Sequence, residues 1–334
     1  MDTKVEDQEQ TIPIVGEKPV YEIKHNDKGE KVINEMITVK EQIGDGAFSK
    51  VYRIEYRFIW EEDGKQMDET FPYAMKVMNE DQLMKKNIFL AHGKAASMMD
   101  FVQNEINILK RIRHENIIKL FEILRDDNKI YLITELCNKG SVLKWNPEEN
   151  KYVLTSGFKT LIEENPHYFE LEQIDWNKLD EREVLGKFLF RQLFKAVEFL
   201  HEQNIIHRDI KWENILCKYN EETQKIELKL IDFSIAKQLS PDELLTEFVG
   251  TTEYQPPEVV NGKFEGKPCD IWALGCCLYS FFFGKLPGIN GVDPEDFKES
   301  AISDDLKDLL TSMLDPDPTK RITIEEILIH LWML

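Results

Sequence analysis

Apolar and polar positions change their spacing several times along the chain. Residues 1 to 35 are polar, with Pro13, Gly16, Pro19 and Gly29 scattered through them. They read as an extension, loosely ordered or draped over its neighbour. Alternation at period two begins near Met36 and runs through Ile43 and Val51, the pattern of half-buried strands. Ile130 to Cys137 and Ile226 to Ile231 read as further strands, the first fully buried. Between them the period becomes helical. Ile106, Leu109 and Ile112 share one face, with Glu105 at its border. Leu189, Leu193, Val197 and Leu200 mark a buried helix over Val184 to His201. Three stretches carry no such pattern. Glu61 to Glu69 reads as a long charged hairpin, residues 79–100 as an insertion, and about 145–181 as a second insertion within a long connection from Lys144 to Glu181.

Totals narrow the setting. At 334 residues and 42% hydrophobic the chain can bury a large core, arranged as two lobes of one unit. Lys plus Arg is 42 and Asp plus Glu is 62, a formal net charge of -20. That field argues against nucleic acid and anionic membrane as partners and favours basic proteins or peptides, although plain solubility accounts for most of it. The five cysteines have no disulfide-framework spacing, and Cys276-Cys277 sit inside an apolar run as buried reduced thiols. The first ten residues are nearly all polar and show no secretory signal. Ile271 to Phe283 is too short to span a bilayer. These features point to a cytoplasmic protein.

The densest chemistry lies in His207-Arg208-Asp209-Ile210-Lys211-Trp212-Glu213-Asn214, followed by Asp232-Phe233. The spacing suits transfer of a phosphate from a nucleotide to a hydroxyl. Asp209 can accept a hydrogen bond from the incoming hydroxyl, and Lys211 can neutralise the moving phosphoryl group. Asn214 and Asp232 offer oxygens to Mg2+, a hard cation served by few carboxylates plus phosphate oxygens. A polar turn between strands is the bland alternative. It has to explain five positions of H-R-D-x-K-x-x-N at once.

The stretch resembles the catalytic loop of protein kinases, and other landmarks of that family follow in order. Ile43-Gly44-Asp45-Gly46-Ala47-Phe48-Ser49-Lys50-Val51 resembles the glycine-rich loop over the ATP phosphates. Lys76, in Tyr73-Ala74-Met75-Lys76, matches the lysine on the α- and β-phosphates, and Glu105 its ion-pair partner. The resemblance implies an adenine pocket from Ile43, Gly44, Gly46, Val51, Ala74, Thr134 as gatekeeper, the backbone of Glu135 and Cys137, and Leu216 as the floor. It implies an α+β, two-lobed kinase fold over residues 36–334, with a small β-rich lobe at 36–136 and a larger helical lobe at 137–334. ATP and Mg2+ are the cofactors it implies. Thr251, in Val249-Gly250-Thr251-Thr252-Glu253-Tyr254-Gln255-Pro256-Pro257-Glu258, matches the threonine that bridges Asp209 and Lys211 in serine/threonine kinases. Asp270 matches the aspartate that holds the catalytic loop, and Arg321 the arginine that pairs with Glu258.

Three features refine this. Ser49 replaces the third glycine, and Asp232-Phe233-Ser234 stands where the family has D-F-G. Ser234 fits a constitutively poised enzyme or a damaged one, and the complete set of charged groups favours the first. Arg208 precedes the catalytic Asp, as in kinases that need phosphate on the segment beyond. Glu247 occupies one position used for that phosphate and is expected to give Arg208 a fixed negative charge, with a solvated surface glutamate as the equal alternative. Thr246 is the second candidate, as a real phosphosite.

The hinge exit Asn138-Lys139-Gly140-Ser141-Val142 and the closing segment Ser303 to Pro316 resemble calcium/calmodulin-dependent protein kinase kinases, which suggests an upstream, kinase-activating enzyme. Upstream kinases of AMP-activated or Snf1-type kinases are the neighbouring resemblance. That group's calmodulin-binding tail has no counterpart before Leu334, which puts calmodulin regulation in doubt. Glu213 fits a basic residue near the acceptor, or a plain surface position. The competing reading is a pseudokinase scaffold that binds nucleotide without turnover, supported by Ser49 and Ser234 alone. A small-molecule kinase is disfavoured by the Thr251 and Pro-Pro-Glu segment.

Overall fold

The alternation that begins near Met36 becomes an eight-stranded sheet. The computed structural model describes residues 17–62, 64–89, 95–166, 179–240, 243–262, 264–298 and 300–334. Strands β1 (Glu17–Pro19), β2 (Ile23–His25), β3 (Lys31–Ile33), β4 (Ile37–Gly46), β5 (Ser49–Glu62) and β6 (Lys65–Asn79) come first. Then follow α1 (Glu80–Lys85), a ribbon of β7 (Asn87–Phe89) and β8 (Ala95–Ser97), and α2 (Met98–Leu109). Strands β9 (Leu120–Arg125) and β10 (Lys129–Glu135) complete the sheet in the order β1-β9-β10-β6-β5-β4-β3-β2. Among the described residues of this sheet, β1 and β9 are the one parallel pair.

The chain divides into two compact units. One holds the residues up to Lys86 with Ser97–Met99 and Lys119–Leu136; the other holds Asn87–Ala96, Asp100–Ile118 and Cys137–Leu334. The first is β-rich and the second mainly helical, an α+β fold. In the first, one sheet face buries Ile33, Ile37, Ile54, Tyr56, Met75, Leu124, Tyr131 and Ile133. Tyr56 Oη donates to the buried Glu122 at 2.5 Å, and Lys18 of β1 pairs with the same carboxylate. Burial and that carboxylate push the Tyr56 phenol far above its ordinary pKa.

Part of the polar extension is built into this sheet. Residues 1–16 of it lie outside the described residues, whereas β1, β2 and β3 come from the remainder. Asn34 explains why such polar residues order. Its Oδ1 accepts from Tyr21 N (3.0 Å) and Glu22 N (3.3 Å), and its Nδ2 donates to Pro19 O (3.0 Å). One buried amide thus satisfies backbone groups that a long apolar strand would pair by a ladder.

The expected charged hairpin is the far end of β5 and β6, in register to Glu62 opposite Lys65. Beyond Tyr56 and Tyr73 no third strand pairs with either of them among the described residues, and Arg57 bonds Asp68 across the ladder (2.7 Å).

In the second unit, β11 (Gly140–Ser141) precedes the connection that showed no periodicity; a ribbon of β12 (Leu143–Asn146) and β13 (Lys151–Leu154) and α3 (Ser156–Glu164) occupy its first half, and residues 167–178 of it lie outside the described residues. Helix α3 starts where the Thr155 hydroxyl accepts from Phe158 N (3.4 Å), and it buries Phe158, Leu161 and Ile162. Helix α4 (Leu179–Glu202) buries Leu189, Leu193, Val197 and Leu200, the predicted face. Next come β14 (Ile205–Ile206), β15 (Ile215–Asn220), β16 (Lys225–Leu230) and β17 (Lys237–Gln238). Helix α5 (Gly266–Phe283) is buried along almost its whole length. Short α6 (Pro294–Lys298), α7 (Asp304–Met313) and α8 (Ile324–Leu328) close the unit, with α8 opened by a Thr323–Glu326 capping box.

Arg321 makes the predicted tie to Glu258. Its two terminal nitrogens donate to the two carboxylate oxygens at 2.6 and 3.0 Å, and its guanidinium lies 5.0 Å from the Trp272 ring centroid. The Arg321 side chain is fully buried and the Glu258 side chain 8% exposed. Removing one partner strands a buried charge. Glu258→Ala is therefore expected to lower stability by about 3–5 kcal/mol in chemical denaturation, and Glu258→Leu with Arg321→Met to recover most of that loss.

Candidate active site

The loop from His207 to Asn214 is positioned by one carboxylate from α5. Asp270 is 1% exposed, yet it accepts from His207 N (2.9 Å) and Arg208 N (3.0 Å) and faces His201 Nε2 at 3.1 Å. A buried carboxylate persists only with such a full set of partners. It holds Arg208 at φ 68, a left-handed conformation that a non-glycine residue keeps only under strong local constraint. The buried His207 ring bonds Ile231 O through Nε2 (3.0 Å), accepts from Asp209 N at Nδ1 (3.3 Å), and meets the Phe233 ring edge-on at 4.8 Å. Trp212 Nε1 donates to Ser280 Oγ of α5 (2.9 Å).

This frame presents Asp209 to a ring of donors. Its Oδ1 accepts from Thr251 N (3.0 Å) and Thr251 Oγ1 (2.7 Å). Its Oδ2 accepts from Asn214 Nδ2 (2.9 Å) and lies 2.8 Å from Lys211 Nζ. Lys211 Nζ also donates to Thr251 Oγ1 (2.6 Å), so that hydroxyl accepts from one charged group and donates to the other. Asp209, Lys211, Asn214 and Thr251 therefore form one network.

Asp232 follows directly. Ile231 N donates to Asn214 O (2.9 Å), which places the end of β16 beside the loop. Asp232 takes φ 63, and its Oδ1 accepts from Ser234 N (3.2 Å). Among the described residues, no group of three or more His, Cys, Asp or Glu converges as a metal cage. Asn214 and Asp232 supply one amide and one carboxylate, a donor set that fits Mg2+ because this ion takes its other ligands from phosphates and water.

The first unit arranges its candidates by strand register. Val51 lies opposite Lys76, which lies opposite Leu132; Ala74 lies opposite Thr134. Period two therefore puts Val51, Ala74, Lys76 and Thr134 on one face, with Met75 and Ile133 in the core on the other. Gly44 and Gly46 end β4, and Gly46 pairs with Ser49 across the turn. A Cβ on Gly44 would come within 3.2 Å of Val51 Cβ. Ile43 is exposed, and Lys86 Nζ lies 5.6 Å from the Phe48 ring centroid. Glu135 ends β10, its carboxylate accepting from Lys119 N (2.9 Å). Cys137 belongs to the second unit, as does Leu216, which pairs with Ser141. Glu105 on α2 is 5% exposed, buried rather than at the border of the apolar face.

The Protein kinase domain family matches residues 37–333. The chain belongs to that family. It is 27% identical over 330 residues to NUAK family SNF1-like kinase 1 of Mus musculus, covering 96% of this chain and 42% of that protein. It is 32% identical over 249 residues to serine/threonine-protein kinase SIK1 of Rattus norvegicus (71% and 28%). It is 29% identical over 303 residues to CBL-interacting protein kinase 12 of Oryza sativa subsp. japonica (87% and 46%). The chain thus spans less than half the length of these relatives. Their names support a serine/threonine kinase domain and give no specific support to the calcium/calmodulin-dependent kinase kinases.

Within this kinase domain the segment before Thr251 is locked to the loop. Arg208 Nη1 donates to Glu247 Oε2 at 2.8 Å and Nε to Ile235 O at 2.5 Å. Thr246, beside Glu247, is half-buried. Gly250 sits at φ 99, and a Cβ there would fall 2.4 Å from Arg208 O, which cannot retreat while Asp270 holds that residue. Two polar residues escaped the sequence reading. His201, taken only as the end of a helix, backs Asp270, and Asn104, next to Glu105, bonds the segment after Asp232. Both lie on amphipathic helices, where periodicity assigns polar residues to solvent. Gly250→Ala is expected to displace Thr251 and lower kcat by about 10²-fold while leaving a cooperative thermal transition, as steady-state kinetics with calorimetry would show.

Proposed function

We propose that this chain is a protein serine/threonine kinase that transfers the γ-phosphoryl group of ATP to a protein hydroxyl. The carrying observation is the Asp209–Lys211–Thr251 network with Asn214 and Asp232 beside it. Asp209 orients the acceptor hydroxyl and takes its proton as oxygen attacks the γ-phosphorus and the bond to the β-phosphate oxygen breaks, releasing ADP. Lys211 meets the charge on the phosphoryl oxygens, and the Thr251 hydroxyl fixes both side chains. Asn214 and Asp232 would hold Mg2+, which neutralises phosphate charge when bound. Lys76 paired with Glu105 would position the α- and β-phosphates. Ile43, Gly44, Gly46, Val51, Ala74, Thr134, the backbone of Glu135 and Cys137, and Leu216 would hold the nucleotide. We assign the domain to residues 36–334, with lobes at 36–136 and 137–334 and an insertion at about 145–181.

The scaffold alternative rests on Ser49 and Ser234, and the backbone at these positions supports the enzyme reading instead. Neither Ser49 nor Ser234 is among the described residues with positive φ, so neither substitution strains the turn that a glycine would occupy. Five free cysteines, four of them buried, suit a reducing cytoplasm, and no helix among the described residues is long and apolar enough to cross a membrane. The exposed Glu213 favours a basic residue near the acceptor. The hinge exit and closing segment support an upstream, kinase-activating role, tested by offering catalytically dead kinases as substrates. Asp209→Asn is expected to abolish phosphate incorporation into a mixed serine, threonine and tyrosine peptide pool while ATP binding persists. Binding without turnover in the wild type would instead establish the scaffold.

Regulation follows from the Arg208–Glu247 contact. Glu247 supplies, without modification, the negative charge that phosphate provides elsewhere in the family. Glu247→Ala is expected to lower the activity of dephosphorylated, bacterially made enzyme roughly tenfold, the scale of one lost charge-assisted hydrogen bond. Unchanged activity would return Glu247 to the solvated surface.

A further inference from the structure

Helix α2 carries one side chain that reaches the segment following Asp232. Asn104 Nδ2 lies 3.3 Å from Phe233 O, 3.0 Å from Ser234 O and 2.7 Å from Ala236 O. Three carbonyl dipoles converging on one point repel unless a donor sits among them. A primary amide nitrogen has two hydrogens, so the three acceptors share them, and no apolar residue of that size could replace it. The segment also bonds within itself, and Ile235 O accepts from Arg208 Nε (2.5 Å). Ser234 N donates to Asp232 Oδ1 (3.2 Å), Ala236 N donates to Phe233 O (3.2 Å), and the Phe233 side chain is fully buried against His207. Asp232 itself stands at φ 63, which the surrounding bonds must maintain.

We infer that Asn104 is a positioning residue that clamps the Asp232-Phe233-Ser234 turn to helix α2 and keeps Asp232 where it can take Mg2+. The inference rests on the phosphotransfer reading above and assigns it a conformational control. With serine where the family has glycine, the turn has fewer alternative conformations to visit, and the amide holds the one it occupies. Glu105 is the next residue on the same helix, so a shift of α2 that withdraws Glu105 also withdraws the clamp. Helix position and metal-site geometry are then coupled through adjacent residues.

The test uses Asn104→Ala, Asn104→Asp and Asn104→Gln in the full chain. Amide hydrogen exchange is followed across residues 232–237, nucleotide affinity is titrated against Mg2+, and the thermal midpoint is recorded. For Asn104→Ala, exchange at Ser234 and Ala236 is expected to rise about tenfold, the scale of one or two lost hydrogen bonds. The Mg2+ needed for half-maximal nucleotide affinity should rise severalfold, with exchange in α4 and α5 unchanged. Asn104→Asp, which puts a carboxylate before three carbonyls, should exceed that effect, and Asn104→Gln should recover part of it. Wild-type exchange and Mg2+ dependence in both Asn104→Ala and Asn104→Asp overturn the inference. So does a loss of protection spread through the unit with a lower thermal midpoint, which marks a merely structural residue. If the wild type transfers no phosphate to any peptide while the local exchange and Mg2+ effects appear, the clamp stands and the phosphotransfer reading falls.

Discussion

The whole of the loop from His207 to Asn214 leans on the carboxylate of Asp270. It is an ionisable group in a helix that is otherwise nearly all apolar, and its desolvation is offset only because two backbone N–H groups and His201 converge on it. Those bonds hold Arg208 in a left-handed conformation, and the consequences run outward in both directions. The Arg208 carbonyl turns toward Gly250, where no side chain fits, and that close approach places Thr251 against Asp209. The Arg208 guanidinium turns to Glu247 and Ile235. One buried acid thus sets the backbone that sets the network, without touching any group that would meet a substrate.

The loop itself was legible because its chemistry needs fixed residue types at fixed spacing. H-R-D-x-K-x-x-N and the Thr251 segment occur far apart in sequence and join in space through side-chain bonds. Buried elements were legible too, since α4 and β16 carry the period their burial demands. What escaped was structure held by polar groups. The strands of residues 17–33 are three residues each, too short for a period to register, and the Asn34 amide ties them down. Helix α3 has only Phe158, Leu161 and Ile162 to bury within a charged stretch, a signal diluted by its neighbours. Glu105 was placed at a border because hydropathy cannot see a buried carboxylate.

The two serines show how a departure from a family pattern is weighed physically. A glycine is required only where φ is positive or where a Cβ meets another atom. Gly250 satisfies both conditions, with φ 99 and Arg208 O at 2.4 Å. The turn at Asp232 satisfies the first at Asp232 and not at Ser234. The sequence difference at Ser234 therefore costs nothing in the conformation seen and bears on conformations the segment would otherwise visit. Stability of one arrangement and access to others are separate quantities, and only the first is read directly from bond lengths.

The far end of the β5–β6 ladder has a practical implication of its own. Beyond Arg57, whose N–H still donates to Met36 O (2.9 Å), and from Thr70 on the other strand, the ladder has open edges among the described residues, a template on which another polypeptide could add a strand. Arg57, Glu61, Glu62, Lys65, Asp68 and Glu69 line that stretch, so a foreign strand would have to bury charge to dock. The same stretch also exposes Ile59 and Phe71, so the charges spaced between these apolar side chains are what would make strand addition costly there.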